Sequence, residues 1–207
     1  MEKTVCTISD YDAVARAYDV GNRNHDVSQN IEAFMKPLKA AFPDSKLSVL
    51  DLGCAGGRDL ETFEALGCDA LGIDGSPALL EMAAKRIKSG RLERQDFADL
   101  RLEANSLHGV YANAVFQHVP SDVLENVLDT IFKSLKSNGI FFVSTAHGFG
   151  EDKEHWMVGR TQNTRSWCCF WSDASWRRKC EAAGFELIDD FFRGNTKAFY
   201  ASAWQKS

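Results

Sequence analysis

Several features that would assign the chain to a familiar class are missing from its 207 residues. No apolar run approaches the roughly 20 residues that a membrane helix needs, and residues 1–10 lack the apolar core of a signal peptide. Excess positive charge is also missing: 24 Lys and Arg face 29 Asp and Glu, and the net charge of −5 disfavours a nucleic-acid surface. We therefore expect neither a membrane nor a nucleic acid as a partner.

Metal-binding cysteine patterns are missing as well. The six cysteines include no Cys-x-x-Cys pair and no set with metal-ligand spacing, and the adjacent Cys168 and Cys169 are not expected to bond to each other. This usage does not indicate a secreted domain held together by disulfides. It predicts a reduced, cytoplasmic protein without a bound metal, and it leaves a monomer or a homodimer open.

The apolar run at 49–52 leads into a turn of small residues at 53–57 and then into a helical pattern. Small residues at such a junction let backbone N–H groups approach a ligand closely. The dinucleotide fingerprint fails, because its third and sixth glycines are replaced by Ala55 and Arg58, and no Gly-Lys-Ser/Thr follows for a P-loop. Asp51, two residues before the turn, suits a ligand with a cationic amino end and repels a diphosphate.

The segment at 51–57 reads Asp-Leu-Gly-Cys-Ala-Gly-Gly and resembles motif I of the class I S-adenosylmethionine-dependent methyltransferases, which commonly reads Asp-Leu-Gly-Cys-Gly-x-Gly. Ala55 departs from that pattern, and its methyl group is tolerated if φ is negative there and strained otherwise. The resemblance spans residues 11–192. It implies S-adenosylmethionine as the cofactor, S-adenosylhomocysteine as the product and a small molecule as the acceptor. No Asn-Pro-Pro-Tyr signature follows the fourth predicted strand, which argues against the similar enzymes that methylate amino groups of DNA or of protein glutamine.

Strand and helix patterns alternate along most of the chain, which predicts a mostly parallel α/β sheet covered on both faces. The resemblance implies a Rossmann-like, doubly wound sheet of seven strands, one of them antiparallel near the C-terminus. Within a single domain at 1–207 we expect a helical lid at 1–45 and a cofactor-binding core at 46–145. An acceptor-pocket segment with a C-terminal hairpin is expected at 146–207.

Apolar spacing predicts two helices in the lid, at 10–19 and at 27–38. Pro37 is expected to kink or end the second of them, because proline cannot donate the helical hydrogen bond. Ser76 and Pro77 predict the N-cap and the first position of a later helix.

In the C-terminal half, a helix that begins at Ser121 is expected to close near Asn138 and Gly139. The apolar run at 140–144 then predicts a strand buried on both faces. The aromatic-rich segment at 148–172 is expected to be irregular.

Polar residues after three predicted strands match cofactor contacts of the resembled family. Asp74 lies 21 residues beyond Gly53, where a carboxylate can accept both hydroxyl protons of a ribose; the alternative is an acid that caps the next helix. Asp96 and Phe97 match the positions that contact adenine, and Asn113 matches one whose carbonyl faces the methionine part. The full set of expected cofactor contacts is Tyr18, Asp51, Gly53, Cys54, Ala55, Gly57, Arg58, Asp59, Asp74, Gly75, Ser76, Asp96, Phe97, Asn113 and His118.

His118 and His147 are the candidate general bases, since histidine titrates near neutral pH. The alternative for His118 is a histidine whose hydrogen bonds are satisfied at a helix entry. Arginines of the aromatic-rich segment could hold a carboxylate, although the segment could equally pack as a loop over the core. The expected acceptor contacts are Tyr11, Tyr18, His147, Arg160, Arg165 and Trp171.

Two other functions compete with methyl transfer. A non-catalytic S-adenosylmethionine-binding protein or regulatory subunit is supported by Ala55 and opposed by the acids Asp51, Asp74 and Asp96. A nicotinamide-dependent oxidoreductase is weakened by the missing glycines of the turn.

Overall fold

The core of the fold is a seven-stranded sheet in a computed structural model, which describes residues 2–158, 165–193 and 197–207. The helices are α1 (Glu2–Asn22), α2 (Ser28–Ala41), α3 (Arg58–Ala65), α4 (Pro77–Arg86), α5 (Ser121–Ser134) and α6 (Asp173–Ala182). The strands are β1 (Ser48–Leu52), β2 (Asp69–Asp74), β3 (Arg91–Arg94), β4 (Leu107–Asn113), β5 (Leu135–Ala146), β6 (Lys153–Val158), β7 (Arg165–Phe170), β8 (Phe185–Arg193) and β9 (Phe199–Lys206). Short 3₁₀ turns cover Phe97–Asp99 and Phe116–His118.

The strand order is β3-β2-β1-β4-β5-β9-β8. β9 is antiparallel to both β5 and β8, so among the described strands of this sheet it alone runs in the opposite direction. The chain therefore builds the sheet outward from β1 in one direction and from β4 in the other. Ligands of such sheets bind at the carboxyl ends of the strands where this order reverses. The predicted doubly wound sheet with a C-terminal hairpin is confirmed.

Apolar side chains cover both faces of the sheet. On one face α5 and α6 pack through residues such as Leu128 and Trp176, and on the other α2 and α3 pack through Phe34 and Phe63. All four of these side chains are almost completely buried. This core holds the strand ends rigidly, so that groups at their carboxyl edge have defined positions.

The N-terminal helices are longer than the sequence predicts. The first begins at Glu2 rather than at residue 10, and the second continues to Ala41 through Pro37. Pro37 therefore does not end its helix. The predicted N-cap of α4 is confirmed, because the Ser76 hydroxyl accepts the Leu79 N–H at 3.2 Å.

The boundary between α5 and β5 was predicted wrongly. The helix ends at Ser134, and Asn138 and Gly139 lie inside the following strand instead of closing the helix. Leu135 already pairs with Leu107, and a register shift follows before the regular pairing resumes. Asn138 has φ +64°, the left-handed conformation in which Asn or Gly often ends a helix. Here that conformation occurs inside a strand instead.

The segment at 148–172 is not irregular throughout. It contains the antiparallel pair β6 and β7, in register from Lys153 with Phe170 to Val158 with Arg165. Most β6 residues are exposed, so that strand lacks the apolar alternation by which half-buried strands are recognised. No helix among the described residues is long and apolar enough to cross a membrane.

Candidate active site

A cleft with two compartments lies where α1 crosses the carboxyl ends of the central strands. The narrow compartment, of about 80 Å³, is lined by residues that include Tyr11, Tyr18, Asp74, Asp96, Phe97 and His118. The wide compartment, of about 630 Å³, is lined by residues that include Asn30, Asp51, Arg58, Asp59, Gln117 and Arg193. Both compartments share Tyr11, Tyr18, Gly53, Ala55, Asn113 and Ala114.

The turn after β1 forms the floor of the cleft. The N–H groups of Gly53 and Cys54 both donate to the Ile73 carbonyl, at 2.7 and 3.1 Å, which ties the turn to β2. Gly53 has φ +77°, and a Cβ there would lie 2.3 Å from Cγ2 of Val115. Glycine is therefore required at this position both by the backbone and by the space available.

Ala55 has φ +46°, a left-handed conformation that costs an L-residue with a side chain roughly 1–2 kcal/mol. The methyl group is thus strained, which is the less favourable of the two outcomes that the sequence left open. Ala114, at φ +57° after β4, shares this conformation. Strained backbone at the floor of a cleft is a recurrent property of functional sites.

Asp74 ends β2 with both oxygens held by backbone donors. Oδ1 accepts from the Ser76 N–H and Oδ2 from the Ala55 N–H, each at 2.9 Å. Burial raises the pKa of this carboxyl, and the backbone hydrogen bonds oppose the shift. Each oxygen can accept a second hydrogen bond, so Asp74 can bind hydroxyl groups of a ligand in the narrow compartment.

Helix α1 is fastened to the strand ends by its polar side chains. Thr4 donates to Oδ2 of Asp96 at 2.8 Å, and Asp12 accepts from the Ser76 hydroxyl at 2.6 Å. Further along the helix, Asp19 accepts from Arg86 at 3.1 Å. These contacts hold the helix over the narrow compartment, which contains the predicted Asp96 and Phe97.

His118 has a partner on each ring nitrogen. Nδ1 lies 2.9 Å from the Trp167 carbonyl and Nε2 lies 2.9 Å from the Tyr11 hydroxyl. A carbonyl can only accept, so Nδ1 carries the proton and Nε2 accepts from Tyr11. Burial lowers the pKa of His118, which favours this neutral form. His118 therefore shows both predicted properties: its two ring nitrogens have hydrogen-bond partners, and its side chain lines the cleft.

In the wide compartment, Asp51 is nearly fully buried, and its Oδ2 has no hydrogen-bond partner among the described residues. Burial and the neighbouring Asp59 raise its pKa well above the ordinary value. Arg58, by contrast, is bidentate to Asp59, with Nε to Oδ1 at 2.6 Å and Nη2 to Oδ2 at 2.9 Å. Asp51 is therefore the acid of this compartment that is ready for a cationic ligand.

A chain of amides fixes the orientation of Asn113. Its Nδ2 donates to Asp59 at 3.1 Å, so its Oδ1 must face the other way. There it accepts from Asn30 at 3.0 Å and from Nη1 of Arg193 at 3.3 Å. Asn113, the last residue of β4, thus connects α3 to both α2 and β8.

Most of the predicted site residues meet in this cleft. Besides those already described, Gly75 and Ser76 line the narrow compartment and Cys54 lines the wide one. Gly57 is not among the described residues that line either compartment; it is the N-cap of α3, at φ +79° beside Ala83.

Three predicted acceptor contacts lie elsewhere. His147, also predicted as a base, packs its ring against Phe149 and Phe192 and is not among the described residues lining the cleft. Trp171 is buried in the core, and Arg165 is exposed with its guanidinium 5.2 Å from the Trp156 ring. Arg160 lies outside the described residues.

Several cleft residues were not predicted. Asp19 continues the apolar stripe of Tyr11, Ala15 and Tyr18 on α1, so extending that stripe by one position would have found it. Gln117 directly precedes His118. Arg193 carried no signal, because a single arginine at the end of a predicted strand is ordinary.

Comparison with known proteins shows the family of the chain. A family model described as "Methyltransferase domain" matches residues 21–190. The chain is 31% identical over 123 residues to a sterol 24-C-methyltransferase of Debaryomyces hansenii, a match that covers 54% of this chain. The matched region spans about a third of that relative's length, 32%.

Solved structures share the fold at low sequence identity. The complex of DhpI with SAH has a TM-score of 0.77 and 17% identity, and the alignment covers 100% of this chain and 98% of that one. The Burkholderia thailandensis 1,6-didemethyltoxoflavin-N1-methyltransferase, bound to 1,6-didemethyltoxoflavin and S-adenosylhomocysteine, has a TM-score of 0.66 at 20% identity. Its alignment covers 97% of this chain and 90% of that chain.

Proposed function

Because the chain belongs to the methyltransferase domain family, we propose that it transfers a methyl group from S-adenosylmethionine to a nitrogen, oxygen or sulfur atom of a small molecule. The observation that carries this proposal is the position of Asp74. Its two oxygens are oriented by the N–H groups of Ala55 in the motif I turn and of Ser76 at the N-cap of α4, and the residue lines the narrow compartment. A vicinal diol such as that of ribose needs this pair of acceptors.

The residues of the cleft fit the cofactor along its length. Asp96 and the Phe97 backbone would contact adenine in the narrow compartment, and Asp74 the ribose. The unpartnered Oδ2 of Asp51 would attract the α-ammonium group, since a buried carboxylate oxygen without a partner gains from a cation. The Asn113 backbone carbonyl would face the methionine part.

A small acceptor is supported by the size of the cleft. The wide compartment, of about 630 Å³, lies within the roughly 300–1,000 Å³ of ordinary small-molecule pockets. The acceptors named for two similar proteins, a sterol and 1,6-didemethyltoxoflavin, are also small molecules. We further expect the protein to work in the cytoplasm, where its free cysteines stay reduced.

When bound, the cofactor supplies a methyl group on a positively charged sulfur. Transfer of that methyl group would be an in-line displacement by a lone pair of the acceptor, in which sulfur would keep the electron pair of the broken carbon–sulfur bond. The cleft contributes mainly by holding the two atoms close and aligned. A proton leaving the acceptor can pass to the Tyr11 oxygen as the Tyr11 proton moves to Nε2 of His118.

A second candidate is a non-catalytic S-adenosylmethionine-binding protein, which the strained Ala55 favours because a distorted floor would misalign the methyl group. Binding and turnover separate the two candidates. A protein that binds the cofactor tightly and methylates nothing in a broad screen of small acceptors would support the second.

The test is calorimetric titration with S-adenosylmethionine and S-adenosylhomocysteine. We expect micromolar binding by the native protein and a loss of roughly 10- to 100-fold in Asp74→Ala, the range expected for hydrogen bonds to a charged group. Asp69→Ala is the matched control, because Asp69 is the acid at the opposite end of β2 and pairs with Arg91 on the surface. Absence of binding by well-folded native protein would overturn the proposal.

A further inference from the structure

Arg193 is the last residue of β8, and its guanidinium lines the wide compartment. The side chain is partly buried. Nη1 lies 3.3 Å from Oδ1 of Asn113, and the guanidinium carbon lies 5.7 Å from the centre of the Phe199 ring. The charged end is therefore held against neutral groups, next to the residue that ends β4.

No carboxylate pairs with Arg193 among the described residues. The segments 159–164 and 194–196 contain no acid in their sequence. The other arginines of the wide compartment differ, because Arg58 pairs with Asp59 and Arg23 with Asp19. Burial lowers the pKa of Arg193 and the nearby Arg58 adds to that shift, while Tyr111 and Asp59 oppose it without a hydrogen bond to the guanidinium. The charge therefore lacks the paired carboxylate that a buried cation normally has.

Gln117 provides a second group without a partner in the same compartment. Its Nε2 donates to the Ala114 carbonyl at 2.6 Å, which turns Oε1 the other way. Oε1 is buried and has no hydrogen-bond partner among the described residues. A ligand that satisfies both groups must offer an anion to Arg193 and an N–H or O–H to Gln117.

We propose that the wide compartment binds the methyl acceptor as a small anion, with Arg193 contacting its carboxylate or phosphate-like group and Gln117 accepting from its hydroxyl or amine. The inference rests on the proposed function. Guanidinium suits this role because its parallel N–H groups bind such oxygens bidentately.

The direction from which Arg193 enters favours the acceptor over the methionine carboxylate as the source of the anion. β8 is the edge strand opposite β3, so its residues approach Asn113 from the side of β5 and β9. Asp51, which would hold the α-ammonium group of the cofactor, lies on β1, on the opposite side of β4. Asn113 stands between the two, where cofactor and acceptor must meet.

The test uses native protein saturated with S-adenosylhomocysteine and titrated with benzoate and with methylphosphonate, and with benzamide as the neutral counterpart of benzoate. We expect one of the anions to bind at millimolar or lower concentration and benzamide not to bind. Arg193→Met should weaken anion binding at least tenfold and leave S-adenosylhomocysteine binding within threefold. Arg193→Lys should keep part of the anion affinity, because it keeps the charge but not the planar fork.

Arg91→Met is the matched control, because Arg91 lies exposed on β3 outside the cleft and should leave all affinities unchanged. Two results would overturn the inference while the proposed function stands. In one, native protein saturated with S-adenosylhomocysteine binds neither anion. In the other, Arg193→Met weakens S-adenosylhomocysteine binding tenfold or more, which would assign Arg193 to the methionine carboxylate. Failure of the native protein to bind S-adenosylhomocysteine at all would overturn both proposals.

Discussion

The two compartments of the cleft differ in how their polar groups are used. In the narrow compartment, Asp74 and Asp96 accept hydrogen bonds on both oxygens, and His118 has partners on both nitrogens. In the wide compartment, acceptor atoms of Asp51 and Gln117 are buried and, within the described parts of the chain, unpartnered. Groups left in this state cost free energy that a ligand can recover. In the narrow compartment the protein itself supplies the hydrogen-bond partners of these polar groups. In the wide compartment a ligand has to supply them.

A substitution at Gly53, in the floor shared by both compartments, gives the largest expected effect. Gly53→Ala should destabilise the protein by more than about 2 kcal/mol and abolish measurable S-adenosylhomocysteine binding, because its Cβ would lie 2.3 Å from Val115. Gly67→Ala is the control: it has a similar φ of +83° and nothing within 4 Å of the added Cβ. It should cost only the backbone penalty of about 1–2 kcal/mol and leave binding unchanged. Chemical denaturation and calorimetry measure both, and equal effects in the two variants would refute the steric argument.

The two lid tyrosines test whether the narrow compartment depends on its satisfied hydrogen bonds. Tyr11→Phe should lower the free energy of unfolding by about 1–3 kcal/mol, since Nε2 of His118 loses its donor in a buried position. It should also reduce turnover more than cofactor affinity. Tyr18→Phe is the matched variant, as Tyr18 packs against Tyr11 at 5.0 Å and lines the same two compartments without contacting His118. Equal losses in the two variants would show that the Tyr11–His118 bond contributes nothing particular.

The contrast between the compartments explains what could be predicted from the sequence. The carboxylates of the narrow compartment lie at or just after strand ends, as Asp74 ends β2, so a local pattern of strand, turn and helix predicts them. Arg193 acts on the cleft only because β8 lies beside β9 at the sheet edge, a long-range pairing that no local pattern encodes. The β6–β7 pair was not predicted for a related reason, because the exposed strand β6 has no apolar alternation in its sequence.

The α5–β5 boundary shows the opposite failure, in which a clear local signal misleads. Asn138 and Gly139 form an ordinary helix-ending pattern, yet pairing of Leu135 with β4 starts the strand earlier. His147 was predicted as a base because histidine titrates near neutral pH. Its ring contacts Phe149 and Phe192, and the second of these lies on β8.

A pH dependence of stability should distinguish the neutral His118 of the narrow compartment from an ordinary exposed histidine. Burial lowers its pKa below the ordinary 6.5, so the unfolded chain binds the proton more readily. The stability that follows is fully present above pH 6.5 and is lost as pH falls through the lower folded value. Denaturation of native protein and of His118→Gln between pH 5 and pH 8 should show a smaller loss toward acid in the variant. The pKa of His108 is also lowered, but His108 is present in both proteins, so its contribution cancels in the difference between the two curves. Parallel curves would contradict the buried neutral form.

The smallest expected effect concerns the floor common to both compartments. Ala55→Gly removes the left-handed strain at φ +46°, roughly 1–2 kcal/mol, but increases the entropy of the unfolded chain by roughly 0.4–1 kcal/mol. The net expectation is a stabilisation of up to about 1.5 kcal/mol, measured as a higher denaturation midpoint. Ala84→Gly, on the exposed side of α4, should have the opposite sign and cost about 1 kcal/mol. A destabilised Ala55→Gly would mean that the methyl group packs favourably enough to offset its strain, and the floor would then be adapted to alanine rather than tolerating it.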